Sequence, residues 1–166
     1  MSLGVAVTSD HQLARLLQIG IVLEEMVEAR AYHHYRSLST DEQQKLDPAI
    51  KSMLEEAADE SAEHRSRLEQ LIDELDAESI PFESIEALVS DHYGQTKPED
   101  FDGILYDQLN GEETAYKFYD DLISSIEASD VSFGIDRQRL LETLRTIRED
   151  EAEGAREVTK IMEERD

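Results

Sequence analysis

Two stretches of eleven residues, EARAYHHYRSL at 28–38 and EETAYKFYDDL at 112–122, constrain this chain more than any other feature. They align without a gap. Glu28 falls on Glu112, Ala31 on Ala115, Tyr32 on Tyr116, Tyr35 on Tyr119 and Leu38 on Leu122. The shared residues recur at the spacing of one helical face, while the residues between them differ. A carboxylate therefore heads an inward stripe twice, at equivalent places on two helices. A second, weaker match sets Leu54 on Leu144, Ala62-Glu63 on Ala152-Glu153 and Leu71 on Ile161. A helical hairpin used twice accounts for both matches and predicts a pseudo-two-fold all-α arrangement.

Start and stop signals place the helices. Ser9-Asp10-His11-Gln12 fits a capping box and opens a first helix running to about Leu38. A short helical turn at Asp41–Leu46 follows. Asp47-Pro48, a cap with proline at the first helical position, opens a second long helix to about Leu75. Pro81 breaks the chain, and 82–92 reads as a short connecting helix. Thr96-Lys97-Pro98-Glu99 is another capping box and opens a third helix ending near Glu127; Asp136 caps a fourth. Four long helices with the longest connection in the middle predict a four-helix bundle with a crossover between helices 2 and 3. With 166 residues and no linker-like segment, residues 1–166 are expected to form one domain.

Composition limits the partners. The net charge is −24, from 40 acidic and 16 basic residues, which disfavours nucleic acid and anionic lipid. Only 5 of the basic residues are lysine, and acid excess with scarce lysine points to a halophilic, salt-rich cytoplasm where screening relieves self-repulsion. No apolar run approaches the length of a membrane span, and no basic start with an apolar block suggests a secretory leader. The absence of cysteine excludes disulfides, thiolate metal sites and cysteine nucleophiles. Apolar helix faces suggest a homo-oligomer, with a dimer favoured. Phosphate-binding glycine loops, a serine-protease constellation and His-Glu-x-x-His are all missing.

The Glu-x-x-Ala-Tyr-x-x-Tyr stretches at 28–35 and 112–119, with Ala62-Glu63-His64, resemble the ferritin-like superfamily, in particular rubrerythrin-type proteins without a rubredoxin tail. The resemblance implies a site in which helices 1 and 3 each give a glutamate, and helices 2 and 4 each give Glu-x-x-His, to iron or manganese. Carboxylates suit hard cations, while imidazole fills a neutral position and leaves room for oxygen or peroxide. Carried over residue by residue, Glu28, His64, Glu112 and Glu151 match, whereas Ser61 and Gly154 stand where a glutamate and a histidine belong. One ion at Glu28, His64 and Glu151 is thus better supported than two, with Glu112 as a further carboxylate. Glu60, about 40° around the helix from His64, is a substitute for Ser61. An oxidoreductase or peroxidase-like activity follows from the resemblance; the alternative is a metal-free bundle serving structure or protein binding.

The same residues have plainer readings. Glu28 and Glu112 can pair with arginines such as Arg30, Arg145, Arg148 or Arg156. The tyrosines can be core packing, with Tyr32 and Tyr116 one turn from a glutamate and able to bond it. His33 and His34 project about 140° and 120° away from Glu28, to opposite sides, and do not converge with it. The run Glu149, Asp150, Glu151, Glu153 reads as a solvated face from which Glu151 alone aligns with a ligand.

Overall fold

The structure, a computed structural model, describes residues 6–25, 30–75, 77, 81, 83–87 and 101–165, with the backbone alone at Arg30, His34, 101–104, 106, 107 and Arg165. The described residues form helices and connecting turns: α1 (Asp10–Leu23), α2 (Arg30–Ser37), α3 (Thr40–Gln44), α4 (Pro48–Glu74), α5 (83–87), α6 (Phe101–Glu127) and α7 (Arg137–Arg165). α1 packs on α4 and α6, α2 on α4 and α6, and α7 on α4 and α6. None of the described helices is long and apolar enough to cross a membrane.

Local chemistry sets most boundaries. Asp47 accepts the Ala49 N–H at 2.9 Å and Pro48 takes the first position of α4, where a missing N–H costs nothing. Ser39 and Glu42 close a reciprocal capping box on α3, one residue before the turn expected from Asp41. At α1, the Ser9 hydroxyl accepts the Gln12 N–H at 3.1 Å, but the Gln12 side chain reaches past Ser9 to the N–H of Thr8 at 2.8 Å. The box expected there therefore closes one residue early. Asp136 accepts the Arg139 N–H at 3.0 Å and starts α7.

The first long helix of the sequence reading is described as two pieces. Glu24 and Glu25 leave α1 in a wider π-type turn, and α2 begins at Arg30. The Thr96–Glu99 box and most of the expected 82–92 helix lie outside the described residues; helical backbone is described at 83–87.

Two apolar clusters fill the interior. The larger joins Leu13 and Leu17 of α1, Leu68 and Leu71 of α4, and the facing ends of α6 and α7 through Leu122 and Leu144. The smaller joins Ala31 and Tyr35 of α2 with Ile50 and Leu54 of α4, Leu105 of α6 and Val158 of α7. Between them, on each helical line, come the buried polar residues: Glu24, then Ser61 and His64, then Gln108 and Glu112, then Glu151. The core is thus divided by a polar layer.

The α6–α7 turn is held by one cation. The Arg137 guanidinium donates to the carbonyls of Ile126, Ser129 and Val131 at 2.8–2.9 Å, adding to the backbone bond that Ile126 accepts from Ser129 N–H and clamping the turn beyond α6. Gly134 ties the same turn to Asp10 at the start of α1. Arg137→Met removes all three bonds and is expected to lower stability by about 1.5–3 kcal/mol, the range for hydrogen bonds to charged groups, as read from denaturant unfolding.

Candidate metal centre in the polar layer

Glu24 is the centre of the layer and was not singled out from the sequence. It is fully buried and its carboxylate is surrounded by donors. The Ser61 hydroxyl reaches Oε2 at 2.8 Å, the Tyr119 hydroxyl reaches Oε1 at 2.8 Å, and His64 Nδ1 lies 3.1 Å from Oε1. Two features of the chain bring it there. Leu13, Leu17, Gly20 and Glu24 follow one face of α1, so the carboxylate ends an inward stripe. Gly20 supplies the approach: a Cβ at that position would lie 3.2 Å from Leu68 and 3.4 Å from the Tyr119 hydroxyl.

His64 joins both sides of the layer. Its Nδ1 faces Glu24 and also Glu151 Oε1, at 3.2 Å; its Nε2 meets Asp150 Oδ2 at 2.9 Å. Glu24, His64 and Glu151 are each at most 1% exposed and offer ligand atoms within 4.8 Å of one another. A second group with the same spacing, Glu60, His64 and Asp150, lies on the outer side of the imidazole and is partly exposed. These groups can hold a metal ion.

The sequence-derived residues distribute as follows. Glu28 lies outside the described residues; Glu24, four residues earlier in the sequence, lies beside His64. Glu151 and His64 come together. Glu112 is buried in the same layer but beside Gly154, accepting from Gln108 Nε2 at 2.9 Å. Glu60 comes together with His64 and Asp150 at ligand spacing, while the Ser61 hydroxyl serves Glu24. Asp150, read as part of a solvated run, contacts the buried imidazole. Among the described tyrosines, Tyr119 donates to a layer carboxylate; Tyr116 is 38% exposed, and Tyr32 accepts from Arg36. Arg145, Arg148 and Arg156 pair with Glu127, Asp120 and Glu149 or Glu153 near the surface. His33 is exposed, and the side chains of His34 and Arg30 and all of His92 lie outside the description. One signal pointed to Glu24: extending the 28/112 alignment toward the N-terminus sets Glu24 on Gln108, a polar residue on the inward face in both halves.

Electrostatics follow from this crowding. Burial works against charge on His64, but hydrogen bonding and attraction from Glu24, then Asp150 and Glu60, overcome it and raise its pKa to about 9. Burial raises Glu60 to about 7, against the pull of His64 and with the help of Asp150, Glu112 and Glu24. No protein-family model matches the chain, and no curated protein or solved structure matches it significantly.

Both shifts are upward, so both contribute stability that is present below the unfolded-state values and lost as pH rises through the folded ones. For Glu60 that window runs from 4.5 to about 7, and for His64 from 6.5 to about 9. The metal-free chain is expected to melt at a lower temperature at pH 9.5 than at pH 6. Calorimetry of Glu60→Gln and His64→Gln should show a flatter profile in each; unchanged slopes would refute the assignment.

Proposed function

We propose that this chain is a ferritin-like carboxylate–histidine metalloprotein, of rubrerythrin type without a rubredoxin tail, that takes up iron or manganese and handles oxygen or peroxide. The observation that carries the reading is the convergence of Glu24, His64 and Glu151 in a buried layer between two apolar clusters. Two carboxylates and one imidazole are the donor set of a borderline or hard divalent cation. The spacing also fits: ligand atoms at about 2.1 Å from an ion and at right angles lie about 3 Å apart, as His64 Nδ1 does from both carboxylates at 3.1 and 3.2 Å. The four-helix bundle with a crossover, a dimeric assembly and a salt-rich cytoplasm belong to the same proposal.

Each residue then has a role. Glu24, His64 and Glu151 hold the ion, and Glu112 adds a further buried carboxylate. Ser61 and Tyr119 fix the orientation of Glu24 by donating to its two oxygens. Asp150 accepts the Nε2 proton of neutral His64, which turns the Nδ1 lone pair inward; carboxylate–imidazole pairs of this kind orient metal ligands and raise their basicity. The apolar clusters above and below keep bulk water away. Iron or manganese bound there supplies the redox change and open coordination positions that reaction with an oxidant requires.

A second reading is a metal-free bundle serving structure or protein binding. It is favoured by the two-sided pairing of His64, which as an imidazolium satisfies Glu24 and Asp150 with its own protons. Metal analysis after expression with added iron or manganese separates the two. The metalloprotein reading expects near-stoichiometric metal, lost in Glu24→Ala; occupancy below about 0.1 per chain, far from the near-stoichiometric filling of a specific site, establishes the second. Asp150→Asn is expected to weaken metal affinity about 10–100-fold, as measured by competition with a chelator.

A further inference from the structure

The two halves of the layer are not equal, and the differences are matched. The register that sets Glu28 on Glu112 sets Glu24 on Gln108, and the register that sets Leu54 on Leu144 sets His64 on Gly154. In one half a carboxylate and an imidazole meet at 3.1 Å. In the other half both places are neutral: an amide stands for the carboxylate, and a bare Cα for the imidazole.

Glu112 shows why the two changes belong together. A Cβ on Gly154 would lie 2.5–2.6 Å from all three atoms of the Glu112 carboxyl group, so the space of a side chain at 154 is filled by that carboxylate. A glycine inside a long helix costs about 0.5–1 kcal/mol relative to alanine, and this close approach is what the position gains in return. Gln108, 1% exposed, then donates its amide to Glu112 Oε1 at 2.9 Å. An ionised glutamate at 108 has no proton to give there and would set two buried carboxylates against each other, with no imidazole beside them among the described residues.

We propose that Gln108 and Gly154 are the specificity-determining pair that limits the layer to one cation, by giving the second half a neutral donor and a space for Glu112 where the first half has Glu24 and His64. The inference rests on the metalloprotein reading for its stoichiometry, and on the metal-free packing alone for its pairing of the two positions.

Titration of manganese(II) into the full-length metal-free chain, with bound metal counted after equilibrium dialysis, tests the stoichiometry. Wild type is expected to saturate near one ion per chain, and Gln108→Glu with Gly154→His near two. Saturation of wild type near two, or of the folded double variant near one, overturns the proposal. In metal-free protein, Gln108→Glu alone should lower Tm by roughly 5 °C, and adding Gly154→His should restore part of the loss. If wild type binds no manganese, the function proposed above fails instead, and this thermal cycle decides the pairing: additive effects overturn it. If Gly154→His does not fold, Gln108→Glu alone must lose thermal stability and gain a weaker second manganese site; the absence of either change overturns the proposal.

Discussion

A carboxylate cannot be left alone in a protein interior, and the burial of Glu24 organises much of what surrounds it. Removing an unpaired charge from water costs several kcal/mol, far more than a small domain can carry at one position. Here four helical lines contribute to its solution: Gly20 opens the approach on α1, Ser61 and His64 reach from α4, Tyr119 from α6, and Glu151 from α7 shares the imidazole. The same residues that neutralise the charge also converge as ligands. In such a layer, what stabilises the empty protein and what suits a bound cation are nearly the same arrangement, with the proton of His64 standing in for the ion.

The outer nitrogen of His64 gives the layer its link to the surface. Asp150 is 39% exposed at its side chain while His64 is 1% exposed, so the contact spans the boundary between solvent and core. Glu60 lies on the same side and is held above the ordinary carboxylate range by burial. Glu24 and Glu151 thus address one nitrogen of the ring and Asp150 the other.

Much of the helical layout was legible in the sequence because caps are local chemistry. Asp47-Pro48 and Asp136 announce α4 and α7 through interactions that span three residues or fewer. His64 and Glu151 came from the family resemblance, since the repeat itself sets His64 on Gly154 and Ser61 on Glu151. Glu24 has no mark that separates it from its neighbours, because a helical period sets residues four apart on one face and periodicity alone cannot rank them. The π-type turn at Glu24 and Glu25 has no marker of its own in the sequence. Asp150 sat in a run of acids where three-dimensional neighbours, not composition, decide which side chain turns inward. Gly154 looked like a missing ligand because a sequence shows what a position lacks and not what fills its space.

The division of the core into two apolar clusters has a consequence for how the helices align along their axes. Leucine-lined helices can slide by a turn and find similar contacts. Were α7 shifted one turn against α4, His64 would face Ile147 or Ala155 in place of Glu151, and would lose Asp150 from its outer nitrogen as well. The polar layer therefore works as a registration pin: it makes one axial alignment far better than its neighbours, whether or not an ion sits within it.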